Sequence, residues 1–522
     1  MEYWCTRGGN PVSGRKAVFR GLSERGGLYI PSTPPEPLTE EDLTTSDWQQ
    51  VLALFYQRFL PDWSLSEWEV IVDQAVRQLR GDDHSFELPT RPVNRYLPHL
   101  YFFMSDALPT ASVYDFSAAI TQTLLSFERK NDRRKPLILL LSEGDEATAM
   151  AFRRSDASEG RMLLFIPENC SRKDEINAAL SEQDFFLTFR SSYDSAAAMI
   201  RDLAGDAAFN EEMERTVYRP LFITPGYLLT VLTFGALAAA SIALIVQSRT
   251  GSSGAPSGDL TKDQRIDFVI PEGHLALLSG IAYAAGLGLP VGTVYTGEGT
   301  SGVLSDLLKR GLCSSSDERE ADDDNDVDVT IPVNLERILF EILSRDTDRL
   351  STCVETYRSG GTFSLSNDEK KMLSQQMVVA SCTSNRAQGV MISIYDRTDH
   401  LVDRGTAEAI SCWESDTGRV ADRDTCVIMA RSPLLDDVFA ARALFGRKNV
   451  RKDREQNVRR LAEETDIPLW PLLQTSFTYN DSCKAISMKY TLAEEVLALT
   501  YRENHGLSAM TGREGIKHEQ FG

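Results

Sequence analysis

The chain has 522 residues, of which 42% are hydrophobic and 25% charged, a balance that indicates a globular protein of two or three packed units. Its formal net charge is -21, from 55 basic and 76 acidic side chains. This charge disfavours a nucleic-acid backbone or an anionic membrane surface as the main partner. The eight cysteines show neither a CxxC pair nor a Cys/His ligand spacing, so we expect reduced thiols and no metal site.

Two amphipathic helices are predicted near the amino end. Between Trp48 and Arg80 the apolar residues recur at helical spacing in two runs, one around Val51 and Phe55 and one around Val72. We therefore expect a helical amino-terminal region.

Short apolar runs, each followed by a helix-like segment, dominate the next part of the chain. They cover residues 137–141, 162–166, 185–189, 268–270 and 291–295. Alternation of this kind is typical of parallel sheets with helices on both faces. The sequence thus predicts an α/β fold.

The stretch from Leu228 to Val246 is uncharged and long enough to span a bilayer. It is rich in alanine, and the α/β pattern continues on both sides of it. A helix buried inside a protein is also apolar all round. We expect a buried helix, with a membrane anchor as the alternative.

Three stretches are predicted to lie on the surface. Residues 248–258 are rich in Gly and Ser and indicate a flexible linker. Residues 317–326 form an acidic run that indicates a solvated insertion, the alternative being a cation or partner site. Residues 447–460 are strongly basic and indicate either a charged helix face or a binding site for an acidic partner.

Four motifs carry a resemblance to a known family. Residues 6–8 read TRG, residues 26–31 read GGLYIP, residues 109–117 read PTASVYDFS, and residues 333–340 read VNLERILF. They resemble motifs of the threonine synthase family, and the resemblance extends from Thr6 to about Pro433.

The resemblance implies a two-domain α/β fold, the pyridoxal phosphate (PLP) fold type II that is also seen in the β subunit of tryptophan synthase, with a helical amino-terminal region. It implies four parts. These are an amino-terminal region at 1–100, a smaller α/β domain at 101–215, a larger α/β domain at 216–435 and a C-terminal helical region at 436–522.

The lysine of the family is missing. In the family the third motif reads P-T-L-A-F-K-D-F-A, and its lysine binds PLP as an aldimine; here Tyr114 takes that position and Asp115 follows it. A phenol cannot form an imine, because that reaction needs a primary amine. The nearest lysines in sequence, Lys130 and Lys135, lie a helix length further on, so we predict that PLP is not bound covalently.

The other inferred site positions are also altered. Gly144 and Asp145 match the family's substrate-binding turn, but Glu143 and Glu146 add carboxylates that would repel a phosphorylated substrate. Two further sites bear on the cofactor. The first is the phosphate loop, where Gly273 remains while the family's open polar nest is replaced by Glu272, His274, Leu275, Ala276 and Leu277. The second is Ala430, which takes the place of a threonine that faces the cofactor ring in the family. We expect this phosphate loop to be closed and His274 to have a structural role.

Three functions follow as hypotheses. The first is a threonine synthase homologue that has lost PLP catalysis and works by binding, to a protein partner or to an active paralogue. The second is an active threonine synthase, which converts O-phosphohomoserine and water to L-threonine and phosphate. The third uses Tyr114, Asp115 and Asp145 as acid and base groups without PLP, and it requires a lowered tyrosine pKa. Residues 1–6 lack the features of a secretory signal, so we expect a cytoplasmic protein.

Overall fold

The structure is a computed structural model of the chain. It describes residues 1–23, 25–81, 86–94, 96–129, 133–153, 160–190, 193–253, 265–271, 273–298, 302–314, 333–416, 425–478, 485–486, 492–494, 496–497 and 500. The acidic run at 317–326, Lys130, Glu272 and residues 254–258 of the predicted linker lie outside these residues.

The structure has strands at all five apolar runs of the sequence. In chain order the strands are β1 (Glu2–Cys5), β2 (Val12–Ser13), β3 (Tyr29–Pro31), β4 (Thr90–Pro92), β5 (Leu100–Met104), β6 (Lys135–Leu141), β7 (Arg161–Pro167), β8 (Phe185–Phe189), β9 (Tyr218–Ile223), β10 (Ile266–Val269), β11 (Val291–Gly297), β12 (Leu312–Ser314), β13 (Thr362–Ser364), β14 (Met377–Ala380), β15 (Thr425–Ala430) and β16 (Ala485–Ile486). The five runs fall on β6, β7, β8, β10 and β11.

The helices cover both sheets. They are α1 (Gly14–Arg20), α2 (Glu40–Thr45), α3 (Trp48–Phe59), α4 (Leu65–Arg80), α5 (Tyr114–Glu128), α6 (Asp145–Arg153), α7 (Lys173–Ala179), α8 (Tyr193–Gly205), α9 (Ala207–Glu214), α10 (Leu228–Ser253), α11 (Leu275–Gly286), α12 (Val303–Arg310), α13 (Val333–Ile342), α14 (Thr347–Arg358), α15 (Asn367–Ser374), α16 (Ser384–Thr398), α17 (Arg404–Ser415), α18 (Asp437–Phe445), α19 (Arg454–Thr465) and α20 (Pro471–Thr478). The two helices predicted between Trp48 and Arg80 are confirmed as α3 and α4.

Two sheets organise the described part of the chain. The larger has the order β14-β11-β10-β15-β5-β4, with all neighbours parallel except the antiparallel pair β4 and β5. The smaller has the order β16-β8-β7-β6-β9 and is parallel throughout. The predicted α/β fold with parallel sheets is confirmed.

Two strands differ from the predicted domain boundaries. β5 lies, except for Leu100, in the range predicted for the smaller domain, yet it pairs with β15 of the larger sheet. β9 falls within the range predicted for the larger domain, yet it pairs with β6 of the smaller sheet. The chain therefore passes from the larger sheet to the smaller one after β5 and returns after β9. Parallel neighbours cannot be joined by a tight hairpin, so strands that pair in a parallel sheet come from separate segments of the sequence.

Helix α10 lies in the protein core. Most side chains from Leu228 to Val246 are 2% exposed or less, as predicted for a buried helix. Residues 248–253 continue this helix rather than beginning a linker. The helix meets α11 backbone to backbone, because a Cβ added at Gly235 would lie 2.7 Å from the carbonyl oxygen of Gly280.

Two of the family-like motifs meet in space and stabilise the scaffold. The hydroxyl of Thr6 donates to Oε1 of Glu336 at 2.6 Å, and Arg7 forms a two-point ion pair with the same carboxylate. Next to it, Arg337 donates to the backbone carbonyls of Tyr29 and Gly226. The TRG and NLER motifs thus fasten the amino-terminal strand to α13.

Candidate functional site

Tyr114 begins helix α5 and lies in a cluster of aromatic rings. Its ring centroid lies 5.2 Å from that of Phe234 on α10 and 5.5 Å from that of His274 at the start of α11. Phe234 is fully buried, while Tyr114 and His274 are half-buried. The tyrosine ring is therefore packed between two helices at the position where the family has a lysine.

The surroundings of Tyr114 keep its phenol protonated. Burial raises the pKa of Tyr114 well above its ordinary value, and the carboxyl groups of Glu146, Asp145 and Glu143 raise it further. Arg431 opposes these effects without outweighing them. The acid-base hypothesis requires the opposite shift, so the geometry does not favour Tyr114 as a base.

Asp115 points away from solvent and fixes the loop before α5. Its Oδ2 accepts from the backbone N–H of Thr110 at 2.8 Å and from the hydroxyl of Thr110 at 3.1 Å. Its Oδ1 lies 3.8 Å from the guanidinium of Arg153. Burial raises the pKa of Asp115, and Arg153 opposes this effect. These contacts hold the loop in place.

Asp145 begins helix α6 and is held by two arginines. Nη1 of Arg172 donates to its Oδ1 at 3.1 Å, and Nε of Arg431 donates to its Oδ2 at 3.1 Å. Burial alone would raise the pKa of Asp145, but Arg431 and Arg172 outweigh burial and lower it to about 2. The carboxylate is therefore ionised at neutral pH, with both oxygens bound by cations.

Gly144 belongs to the turn that brings Asp145 to this point. The hydroxyl of Ser142 accepts from the backbone N–H groups of Gly144 and Ala147, at 3.0 and 3.1 Å. A serine oxygen thus occupies the amino end of α6, where backbone N–H groups would otherwise be free for an anion.

A chain of buried charges continues from Asp145 toward the C-terminal helices. Arg172 donates to Glu175 at 2.7 Å, and Glu175 also accepts from the indole of Trp470 at 3.0 Å and from Arg454 at 3.4 Å. Arg172 and Glu175 are both 1% exposed or less, so the charges are paired rather than free.

The phosphate loop of the family corresponds to the start of α11. Gly273 has a φ of 76°, and nothing lies within 4 Å of a Cβ added there. The side chains of Leu275, Ala276 and Leu277 are buried in the main core and do not come within 4 Å of that Cβ position. Burial lowers the pKa of His274 to about 4, with Arg431 adding to the effect, so this imidazole is neutral at pH 7.

The two acidic residues of the altered turn have different surroundings. Glu146 is buried and accepts from the hydroxyl of Thr230 at 2.8 Å, and burial raises its pKa to about 8. Glu143 is exposed; desolvation raises its pKa, and Arg431 opposes the effect. At neutral pH Glu146 is mostly protonated, so it adds little to the expected repulsion of an anion.

Ala430 ends strand β15, is 6% exposed and pairs with Met104 of β5. The next residue, Arg431, extends toward Asp145. Sequence reasoning did not identify Arg431, Arg172 or Phe234 as site residues. These three residues lie in distant parts of the sequence, so no local motif joins them. The only sequence signal was that Arg431 directly follows the predicted site residue Ala430.

Two described lysines near the site in sequence, Lys135 and Lys173, have other surroundings. Lys135 begins β6, whereas the turn at Gly144 follows the opposite end of this strand, about 20 Å away. Lys173 begins α7, but its ammonium group lies over the ring of Phe186, 5.9 Å from the centroid. Within the residues that the structure describes, no group of three or more His, Cys, Asp or Glu side chains is placed to hold a metal ion.

Comparisons with known proteins point to one family. No family profile matches the chain. The threonine synthase of Corynebacterium glutamicum is 22% identical over 434 residues, which cover 78% of this chain and 84% of that protein. The human protein threonine synthase-like 1 is 22% identical over 449 residues, which cover 81% of this chain and 56% of that protein.

The fold agrees with these relatives. The structure of PLP-bound threonine synthase from Brucella melitensis matches with a TM-score of 0.73 at 16% identity, over 96% of this chain and 99% of that one. The chain is thus similar in sequence to threonine synthases over most of its length, and it shares their fold.

Proposed function

We propose that this threonine synthase-like protein lacks PLP aldimine catalysis and acts as a non-catalytic binding or regulatory homologue. The observation that carries the proposal is the position of Tyr114, whose ring packs between Phe234 and His274 where the chemistry needs an amine. Two lysines that follow Tyr114 in sequence are placed elsewhere, since Lys135 begins β6 and the ammonium group of Lys173 lies over the ring of Phe186. A protein partner or an active paralogue in the cytoplasm is the partner that we expect, with no role for nucleic acid or membrane.

The altered charges support the same proposal. Asp145 is bound on both oxygens by arginines, and Ser142 fills the amino end of α6. A substrate phosphate would have to displace these contacts and meet the carboxylate of Glu143. The competing function, conversion of O-phosphohomoserine to threonine, needs these groups to be free.

Two assays separate the functions. The first follows the absorbance of PLP mixed with the purified chain, and the second follows phosphate release from O-phosphohomoserine. We expect the spectrum of free PLP and no phosphate release. An imine band together with phosphate release would support the active enzyme.

Two variants serve as controls. Tyr114→Lys supplies the missing amine and is the positive control for imine absorbance. Tyr114→Phe keeps the ring packed against Phe234 and removes only the hydroxyl, so it should behave as the parent does.

A further inference from the structure

A strongly basic surface follows helix α18. Between residues 442 and 460 the chain has eight Lys or Arg and two acidic residues, in a protein of net charge -21. Both acids have local roles. Asp453 accepts from the backbone N–H of Glu455 at the start of α19, and Glu455 pairs with Arg459 at 2.7 Å.

Four of these cations are exposed and have neither an acidic partner nor a ring contact within the described part of the chain. They are Arg447, Lys448, Arg451 and Lys452, which we call the basic loop. By contrast, Arg454 is used internally, because it lies 3.4 Å from Glu175 and 3.9 Å from Asp437. The basic loop thus has a positive charge that the described protein does not neutralise.

The backbone of the basic loop is held in one conformation. The buried side chain of Asn457 accepts from the N–H of Arg451 at 2.8 Å and donates to the carbonyl oxygen of Arg451 at 2.9 Å. Asn457 also donates to Asp437 at 3.0 Å, which anchors it to α18. Asn449 donates to the carbonyl oxygen of Phe445 at 2.7 Å. A surface that is already ordered loses less conformational entropy when a partner binds.

The surroundings of the basic loop favour carboxylates over nucleic-acid bases. The guanidinium of Arg460 lies 3.6 Å from the ring centroid of Phe445, and that of Arg459 lies 5.7 Å from the ring centroid of Phe477. These neighbouring rings are thus covered, whereas proteins that bind single strands stack bases on open aromatic rings.

From these observations we propose that the basic loop docks an acidic protein segment, rich in aspartate and glutamate, on a partner. Arginine side chains bind carboxylates at two points, and lysines add charge without fixed geometry. Arg454 lies two residues after Lys452 and pairs with Glu175, so a bound segment would lie beside the buried charges that lead to Asp145. This proposal goes beyond the loss of PLP catalysis and does not depend on it.

The test measures fluorescence anisotropy of a short labelled peptide of Asp, Glu, Ser and Gly, mixed with the full chain at low and at high salt. We expect saturable binding that weakens with salt. The variant Lys448→Glu with Lys452→Glu should weaken binding by about tenfold, which corresponds to about 1.4 kcal/mol. The control variant Lys16→Glu with Lys371→Glu changes the net charge equally at exposed lysines elsewhere and should keep the parent affinity.

Three results would overturn the proposal. These are no saturable binding at low salt, an equal loss in both variants, and tighter binding of a single-stranded oligonucleotide with the same dependence on Lys448 and Lys452. None of them bears on PLP binding, so the proposed loss of catalysis is tested separately.

Discussion

Nη2 of Arg431 lies 3.0 Å from Oδ2 of Asp145, and this ion pair connects the two parallel sheets. Arg431 follows β15 of the larger sheet, and Asp145 begins the helix that follows β6 of the smaller sheet. The other oxygen of Asp145 accepts from Arg172, which follows β7 of the smaller sheet. Both oxygens of this carboxylate are thus paired with arginines.

Replacing Asp145 with Asn should destabilise the protein. The substitution removes the negative charge of Asp145, which makes three contacts with the guanidinium groups of Arg172 and Arg431. We expect the free energy of unfolding to fall by about 2 kcal/mol. Because the folded-state pKa of about 2 lies below the ordinary value of 3.8, this stabilisation is present above pH 4 and is lost as the pH falls toward 2. Urea unfolding of parent and variant at neutral and acidic pH measures both effects.

The matched control is Asp73→Asn, which breaks an exposed pair with Arg77 on α4. Exposed pairs contribute about 0.5 kcal/mol or less, so this variant should unfold almost as the parent does. Equal stability of both variants would show that the pair between Asp145 and Arg431 does not hold the sheets together.

Glu146→Gln should flatten the dependence of stability on pH. The folded-state pKa of about 8 lies above the ordinary value of 4.5, so this group contributes stability below the ordinary value and loses it as the pH rises through 8. The effect is at most about 1.4 kcal/mol for each unit of pKa difference. Glutamine can still accept from Thr230, so unfolding midpoints measured across this range should decline less for the variant. The same decline in both proteins would refute the pKa assignment.

Gly235→Ala should separate α10 from α11. The added Cβ would lie 2.5 Å from Cζ of Phe55 and 2.7 Å from the carbonyl oxygen of Gly280, so we expect a loss of about 1–3 kcal/mol. Gly389→Ala in α16 is the control, because nothing lies within 4 Å of its added Cβ. That variant should gain about 0.5–1 kcal/mol from helix propensity, so thermal unfolding should shift in opposite directions. A shift of Gly235→Ala in the same direction would contradict the close packing.

Much of the fold could be predicted from the sequence because its signals are local. The strands β6 and β7 are continuous apolar runs, as expected for strands covered on both faces. The apolar stretch from Leu228 is a buried helix, as its alanine content and α/β surroundings suggested. The sheet membership of β5 and β9 was harder to predict, because it depends on pairing between distant segments.

The site was only partly predictable for the same reason. The replacement of lysine by Tyr114 is visible in one motif, but the contacts of Asp145 are not. Its partners Arg172 and Arg431 lie 27 and 286 residues away in sequence. The raised pKa of Glu146 likewise depends on burial against α10, which no local pattern shows.

The most direct test of the account is to incubate the purified chain with PLP, reduce it with borohydride and map the peptides by mass spectrometry. Borohydride fixes any imine as a stable pyridoxyl-lysine. We predict that no lysine peptide gains the pyridoxyl mass at stoichiometric yield, while the Tyr114→Lys variant gains it at residue 114. A stoichiometric pyridoxyl adduct on any lysine of the parent chain would contradict the loss of aldimine chemistry.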